Sequence, residues 1–192
     1  MENNVLVEKT LDAIKKGDCD VLEQLVADGL NPNSVVERGC NLFHYIVDSP
    51  IGNFSIKNKM CELLIAHEGN PNIHNFEGLQ PLHHAMHRNN TGYWKEFIQL
   101  KGVDPMPWDV DYNTPLLRAK NITDIQHIFK VILKKHINYQ DKDGNTVLHL
   151  HPWLNAHQKE FEEWGFDFNL RNKKGEVAVE QREINTYFSK RQ

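Results

Sequence analysis

The chain alternates between apolar stretches with helical spacing and short polar stretches rich in glycine, asparagine and proline. Within the apolar stretches, large side chains recur at intervals of three and four residues, which places them on one stripe of an α-helix. The clearest stretches are Val21, Leu22, Leu25 and Val26; Cys61, Leu63, Leu64 and Ile65; Trp94, Phe97 and Ile98; and Ile125, Ile128, Phe129 and Ile132. We therefore predict amphipathic helices, separated by turns, that each bury one face.

One of the polar stretches recurs as a short motif in which a glycine precedes a capping-type residue, a leucine or valine and, in three copies, a histidine. The three clear copies are 38–44, 77–85 and 143–149. A fourth copy, 111–117, lacks the glycine, and a fifth, 174–179, is faint. Equivalent positions in the five copies lie 39, 34, 32 and 31 residues apart.

A second motif alternates with the first and follows the apolar stretches. Each copy contains asparagine or aspartate, and all except 136–138 begin with glycine; the copies are 29–33, 69–72, 102–105, 136–138 and 165–169. Glycine is the residue that most often ends a helix, because it adopts the left-handed conformation without strain. The second motif therefore marks the end of a helix in each period.

Together the two motifs resemble the ankyrin-repeat family over most of the chain, from about Leu11 to Val179. The first is similar to the family's opening "G-x-T-P-L-H-x-A" and the second to its closing "G-A-D-x-N", and the spacing is near the family's period of about 33 residues. The resemblance implies an all-α fold, an ankyrin-repeat solenoid of stacked helix-turn-helix units with projecting loops or hairpins. Such units stack because one alone cannot bury its apolar faces.

The residues at the start of each repeat have the chemistry that a helix start requires. Thr114, Thr146 and Asn41 can each accept a backbone N–H that has no partner inside the helix. Pro81 and Pro115 follow at the first helical position, where a missing N–H has no cost. We therefore expect a helix to begin at each of these places.

We predict a single ankyrin-repeat domain, residues 1–192. Its repeats are predicted at about 1–33, 34–72, 73–105, 106–138 and 139–169, with a polar C-terminal cap at 170–192. The second repeat has extra residues between its helices, around 48–54, and in the fifth repeat Pro152 should shorten the first helix.

Composition excludes several classes of function. The 192 residues include 22 Lys and Arg against 26 Asp and Glu, a net charge of −4, which argues against binding nucleic acid or a membrane surface through bulk charge. The three cysteines, Cys19, Cys40 and Cys61, show no CxxC spacing, so we expect a reducing compartment rather than disulfides. No apolar run approaches the ~20 residues of a membrane span, and we expect a cytoplasmic protein.

Two groups of residues raise the question of chemistry. His83 and His87 have the i, i+4 spacing of metal ligands on a helix, and Cys40 precedes His44 by four residues. However, His44, His83 and His149 occupy the same position in their repeats, where the resemblance implies a structural hydrogen bond between neighbouring repeats. We therefore expect no catalytic residue, no cofactor and no metal site. The alternative is an enzyme or metal-binding protein that uses histidines and cysteines recruited onto the ankyrin frame.

The resemblance implies a non-enzymatic scaffold that binds another protein through its loop tips and a concave face formed by the first helices. We expect it to be a monomer. The abundance of Asn, Lys and Ile is typical of an AT-rich genome. The chain also resembles the short stand-alone ankyrin proteins of intracellular bacteria and of some viruses, which implies a host-directed effector that acts in the host cytosol. For Trp153, burial and exposure are equally expected. The predicted partner-binding residues are Arg38, Phe76, Glu77, Leu79, His87, Arg88, Trp108, Asp111, Asn113, Lys142, Asn145 and Trp153.

Overall fold

The computed structural model describes residues 2–87, 92–132 and 136–178, which divide between two compact units, 1–110 and 111–192. Over the described residues the regular structure is helical; the extended pairing consists of two isolated bridges, Val35 with Asn41 and Arg171 with Val177. The helices are α1 (Glu2–Lys16), α2 (Cys19–Ala27), α3 (Leu42–Asp48), α4 (Phe54–Ala66), α5 (Pro81–His87), α6 (Trp94–Phe97), α7 (Ile122–Val131), α8 (Val147–Leu150) and α9 (Gln158–Trp164).

The predicted apolar stripes form the core of each unit. Leu22 and Leu25 of α2, Leu64 of α4 and Phe97 of α6 are buried in the first unit, and Ile125 and Ile128 of α7 are buried in the second. Val21 differs from the expectation, because it lies at the edge of its stripe and is exposed. Among the described residues, no helix has the length and apolar character needed to cross a membrane.

The asparagines of the second motif join one repeat to the next. The side-chain amide of Asn33 donates to the carbonyl of Glu68 at 3.0 Å, and its Oδ1 accepts the N–H of Asn70 at 2.7 Å. Asn72 repeats both bonds with Gly102 and Asp104 at 2.7 and 2.8 Å. Such paired bonds satisfy backbone groups that the loops would otherwise leave to solvent, so the motif stabilises stacking as well as ending a helix.

The same pair of bonds recurs in the second unit. The side-chain amide of Asn138 donates to the carbonyl of Gly165 at 3.0 Å, and its Oδ1 accepts the N–H of Asp167 at 2.9 Å. Three asparagines at equivalent positions therefore make equivalent contacts, which is direct physical evidence for a repeated architecture.

The segment between α3 and α4 folds around a buried lysine. Lys57 is fully buried, and its Nζ donates to the carbonyls of Val47 and Ser49, both at 2.9 Å. The ammonium group also lies 5.0 Å from the centre of the Tyr93 ring. Lys57 thus neutralises the carbonyl end of α3, and burial lowers the pKa of its ammonium group.

The second unit departs from a regular repeat at two places. Residues 115–118 form hydrogen-bonded turns, so the helix expected from Pro115 is absent, although the N–H of Leu117 does bond to Thr114 Oγ1 at 3.4 Å. Helix α8 has only four residues and is followed by a 3₁₀ turn, Pro152–His157. The expected shortening at Pro152 is therefore confirmed, whereas the helix predicted at Pro115 is wrong.

Candidate functional site

The exposed tips of the first unit lie at two stacked turns. The first is the 3₁₀ turn Glu37–Gly39, and the second surrounds Phe76, whose N–H donates to the carbonyl of Arg38 at 2.9 Å. Asn75 fixes the second turn because its Oδ1 accepts the N–H groups of Glu77 and Leu79 at 2.9 and 3.0 Å. Hydrogen bonds to Arg38 and to Asn75 therefore fix the backbone around Phe76.

The side chains on these tips include an ion pair and two large apolar residues that are mostly exposed to solvent. Arg38 pairs with Glu77, and both remain accessible to solvent. The Phe76 ring is 85% exposed, and Val110 is 70% exposed. Val110 packs against the turn that follows Phe76, because its Cγ1 lies only 2.4 Å from the position that a Cβ on Gly78 would occupy. We call Arg38, Phe76, Glu77 and Val110 the tip row.

Two of the remaining partner-binding residues predicted in the first unit, Trp108 and Leu79, are partly accessible. Trp108 is 52% exposed, and Leu79 is half-buried with its carbonyl directed to His44. Arg88 and the side chain of His87 lie outside the described residues.

The second unit has its own partly exposed patch. Lys142 pairs with Asp111 at 2.7 Å on the surface, and Asn145 bonds to Asp141. Trp153 is 42% exposed, beside His151, whose ring centre lies 5.6 Å away. Asn113 is half-buried. The two outcomes left open for Trp153 are thus resolved in favour of partial exposure.

The histidines at the repeated position connect neighbouring repeats. Nε2 of His44 lies 3.0 Å from the carbonyl of Leu79, and its Nδ1 accepts the N–H of Asn41 at 3.2 Å. His149 makes the equivalent bonds to the carbonyl of Glu176 at 3.0 Å and the N–H of Thr146 at 3.1 Å. The carbonyl partner requires a proton on Nε2 and leaves a lone pair on Nδ1. The structural role predicted for these two residues is confirmed.

Burial dominates the protonation of His44. It lowers the pKa of this imidazole from 6.5 to about 4, and the bond to the Leu79 carbonyl offsets only part of that effect. His44 is therefore neutral near pH 7, which is the form that both of its backbone bonds require.

A cleft beside the tip row contains a second cluster of polar side chains. His84, on α5, has its Nδ1 2.9 Å from Oδ2 of Asp48, at the end of α3. The side-chain amide of Asn75 lies 3.1 Å from Nε2 of His84 and 3.7 Å from Sγ of Cys40. A cavity of about 170 Å³ is lined by His84, Asp48 and Cys40 together with His44, Glu37, Arg38 and Tyr45.

The spacing of four residues connects Cys40 with His44, but no spacing in the sequence connects Cys40 with His84 or Asp48. His84 is adjacent to the histidine of the repeated position, His83, and Asp48 lies at the edge of the extra residues of the second repeat. The one available signal is that His83 and His84 are consecutive on a helix, so that they face different directions.

A comparison with solved structures identifies the architecture. The ankyrin-repeat domain of Bcl-3, a member of the IkappaB family, matches with a TM-score of 0.72 and 18% identity, covering 88% of this chain and 75% of that one. The protein has the ankyrin-repeat fold. Neither a protein-family model nor a curated protein matches the sequence.

A second ankyrin-like match comes from Bdellovibrio bacteriovorus. It is found in the structure of the predatory endopeptidase Bd0816 in complex with immunity protein Bd3460, with a TM-score of 0.69 and 22% identity. The match covers 93% of this chain and 92% of that chain. At these identities, both comparisons establish the ankyrin fold alone.

The ankyrin tips depend on a close approach at Gly39, which gives a testable prediction. Gly39 has a φ of +78°, and a Cβ there would lie 2.5 Å from the Phe76 ring and 2.8 Å from the Phe76 backbone nitrogen. We expect Gly39→Ala to lower the free energy of unfolding by about 3 kcal/mol, measured by urea denaturation. Gly29→Ala is the matched control, because Gly29 also has a positive φ, +97°, but nothing within 4 Å. Equal losses in the two variants would show that the contact with Phe76 is unimportant.

Proposed function

We propose that this ankyrin-repeat protein is a non-enzymatic scaffold that binds a partner protein through its loop tips and concave face, with the tip row of the first unit at the centre of the contact. The supporting observation is the Phe76 ring, which is exposed while its backbone is fixed by Arg38 and Asn75. A residue whose backbone is already ordered loses less conformational entropy on binding than one in a free loop. Aromatic and arginine side chains also supply a large share of the energy at many interfaces.

A peptidase is the first class of partner to test. The matched structure from Bdellovibrio pairs an endopeptidase with an immunity protein, and the match spans nearly the whole of both matched chains. An immunity-type role would require a partner produced in the same cell, whereas the effector role would require a partner in a host cell. Parallel capture from the two kinds of lysate separates these roles, because only one lysate should yield a stoichiometric complex.

The tip row is tested by measuring the affinity of the captured protein for purified variants. We expect Phe76→Ala to weaken binding by about 30-fold or more, since burial of an exposed aromatic anchor is worth roughly 2 kcal/mol. Isothermal titration of the full chain gives the dissociation constant.

The control for this experiment is Val21→Ala. Val21 is an exposed apolar side chain on α2, a helix that contributes no residue to the tip row, and truncation of its side chain should leave the affinity within about twofold. Equal affinities for the wild type and Phe76→Ala would refute the proposed contact. Weakened binding by both variants would indicate an interface that is not centred on the tip row.

A further inference from the structure

Three potential metal ligands meet in the cleft beside the tip row. One donor atom each of Cys40, His44 and His84 lies within 4.8 Å of the other two. The residues come from separate places: Cys40 from the turn before α3, His44 from the first turn of α3, and His84 from α5. The cluster exists only because two neighbouring repeats stack, which is why the sequence alone did not reveal it.

We propose that Cys40, His44 and His84 form a binding site for a zinc-class transition-metal ion, with a fourth coordination position open to the cleft. One thiolate and two imidazoles are ligands that zinc and similar metals accept, whereas magnesium and calcium prefer oxygen. Three protein ligands with an accessible fourth position is the arrangement found when a metal binds an exchangeable group.

The contacts of His84 match those of a metal-ligating histidine. Its Nδ1 lies 2.9 Å from the Asp48 carboxylate and donates its proton there, which leaves the lone pair on Nε2. A carboxylate partner on the far nitrogen orients the ring and raises the basicity of the ligand nitrogen. The other oxygen of Asp48, Oδ1, is buried without a hydrogen-bond donor among the described residues.

The Asn75 amide marks the region that a cation would occupy. Its Nδ2 group is within reach of both Nε2 of His84 and Sγ of Cys40. The partly positive amide group of Asn75 therefore already interacts with both atoms that the ion would bind. Metal binding replaces these two contacts, of which the one to sulfur is long.

His44 must give up one hydrogen bond to take part. Each of its ring nitrogens has a backbone partner, Leu79 on one side and Asn41 on the other. A neutral hydrogen bond of this kind is worth roughly tenfold in an equilibrium constant, so this cost reduces the affinity without preventing binding.

The three ligand atoms must move slightly closer together to bind one ion. Around a tetrahedral zinc ion, ligand atoms are roughly 3.3 to 3.6 Å apart, given the usual bond lengths. The separations here are at most 4.8 Å, so the largest adjustment is about 1.5 Å. Cys40 is only half-buried, and a rotation about its χ1 angle moves the sulfur by more than that amount.

The test uses the reduced full-length chain after removal of metals by a chelator. Titration with Co²⁺ should give one equivalent of bound metal with a thiolate-to-cobalt absorption band in the near ultraviolet, and Zn²⁺ should displace the cobalt. Cys40→Ser should abolish the band and weaken Zn²⁺ binding by at least 100-fold. Asp48→Asn should weaken Zn²⁺ binding by roughly tenfold while the band remains, because it removes a supporting carboxylate rather than a ligand.

Cys19→Ser is the matched control. Cys19 is also a half-buried free thiol, but its sulfur lies near the carbonyl of Ile56 and belongs to no such cluster among the described residues. Its band and affinity should equal those of the wild type. The proposal is overturned if calorimetry shows no stoichiometric Zn²⁺ binding, if the band persists in Cys40→Ser with an unchanged far-UV spectrum, or if Cys19→Ser abolishes it.

Discussion

Lys57→Ala should lower the free energy of unfolding of this protein by about 4 kcal/mol. The substitution removes a fully buried side chain and leaves a cavity. It also removes the donor that the carbonyls of Val47 and Ser49 share at 2.9 Å. Buried polar groups that lose a charged partner cost roughly 1–3 kcal/mol each. The loss should appear as a lower midpoint of urea denaturation.

Two further variants separate the effect of the lost side-chain volume from the effect of the lost charged donor. Lys57→Met keeps most of the side-chain volume and removes the buried charge, so its loss should be about half that of Lys57→Ala. Lys59→Ala is the surface control. Lys59 is exposed, and its ion pair with the exposed Asp20 carboxylate is long at 3.7 Å. This substitution should change the free energy of unfolding by less than about 0.5 kcal/mol. A loss below 1 kcal/mol for Lys57→Ala would mean that the end of α3 does not depend on this lysine.

The repeated fold was predictable because each period carries its own local signals. A cap, a proline or leucine and a terminal glycine recur at a steady interval, and local signals of this kind do not depend on distant parts of the chain. The second role of the asparagines was not predictable in the same way. The bonds from Asn33 to Glu68 and Asn70 require two repeats in register, which no single period specifies.

The failure at Pro115 has a local explanation. The sequence Thr114-Pro115-Leu116 satisfies the rules for a helix start, and Thr114 does accept the expected N–H. However, the turns end by Ala119, where the N–H bonds back to Leu116 at 3.3 Å. Capping chemistry predicts where a helix can begin but contains no information about how long it continues.

The candidate site was only partly predictable for a related reason. Arg38, Phe76 and Glu77 could be placed on the tips because tip positions follow from the repeat period. The cleft could not be predicted, because Asp48 comes at the edge of an inserted segment and His84 meets Cys40 only across a repeat boundary. Insertions shift the period, so residues within them have no equivalent position in other repeats.

The second large effect is a loss of stability in acid that originates at His44. Burial holds the pKa of this imidazole at about 4 in the folded protein, against 6.5 as its ordinary value. Between these values the unfolded chain binds more protons than the folded chain, so stability rises with pH. The contribution is complete above pH 6.5 and is lost as the pH falls toward 4. A difference of this size corresponds to about 3 kcal/mol.

The measurement is the free energy of urea unfolding from pH 7.5 to pH 4, for the wild type and for His44→Gln. The variant should be less stable at pH 7.5, because it loses the ring that joins Asn41 to Leu79. It cannot titrate at this position, so its deficit should shrink by about 3 kcal/mol as the pH falls. His67→Gln, on an exposed side chain at the end of α4, should follow the wild type. A constant gap between the wild type and His44→Gln would show that acid sensitivity arises elsewhere, because a buried neutral imidazole must lose its advantage once the unfolded chain takes up the proton.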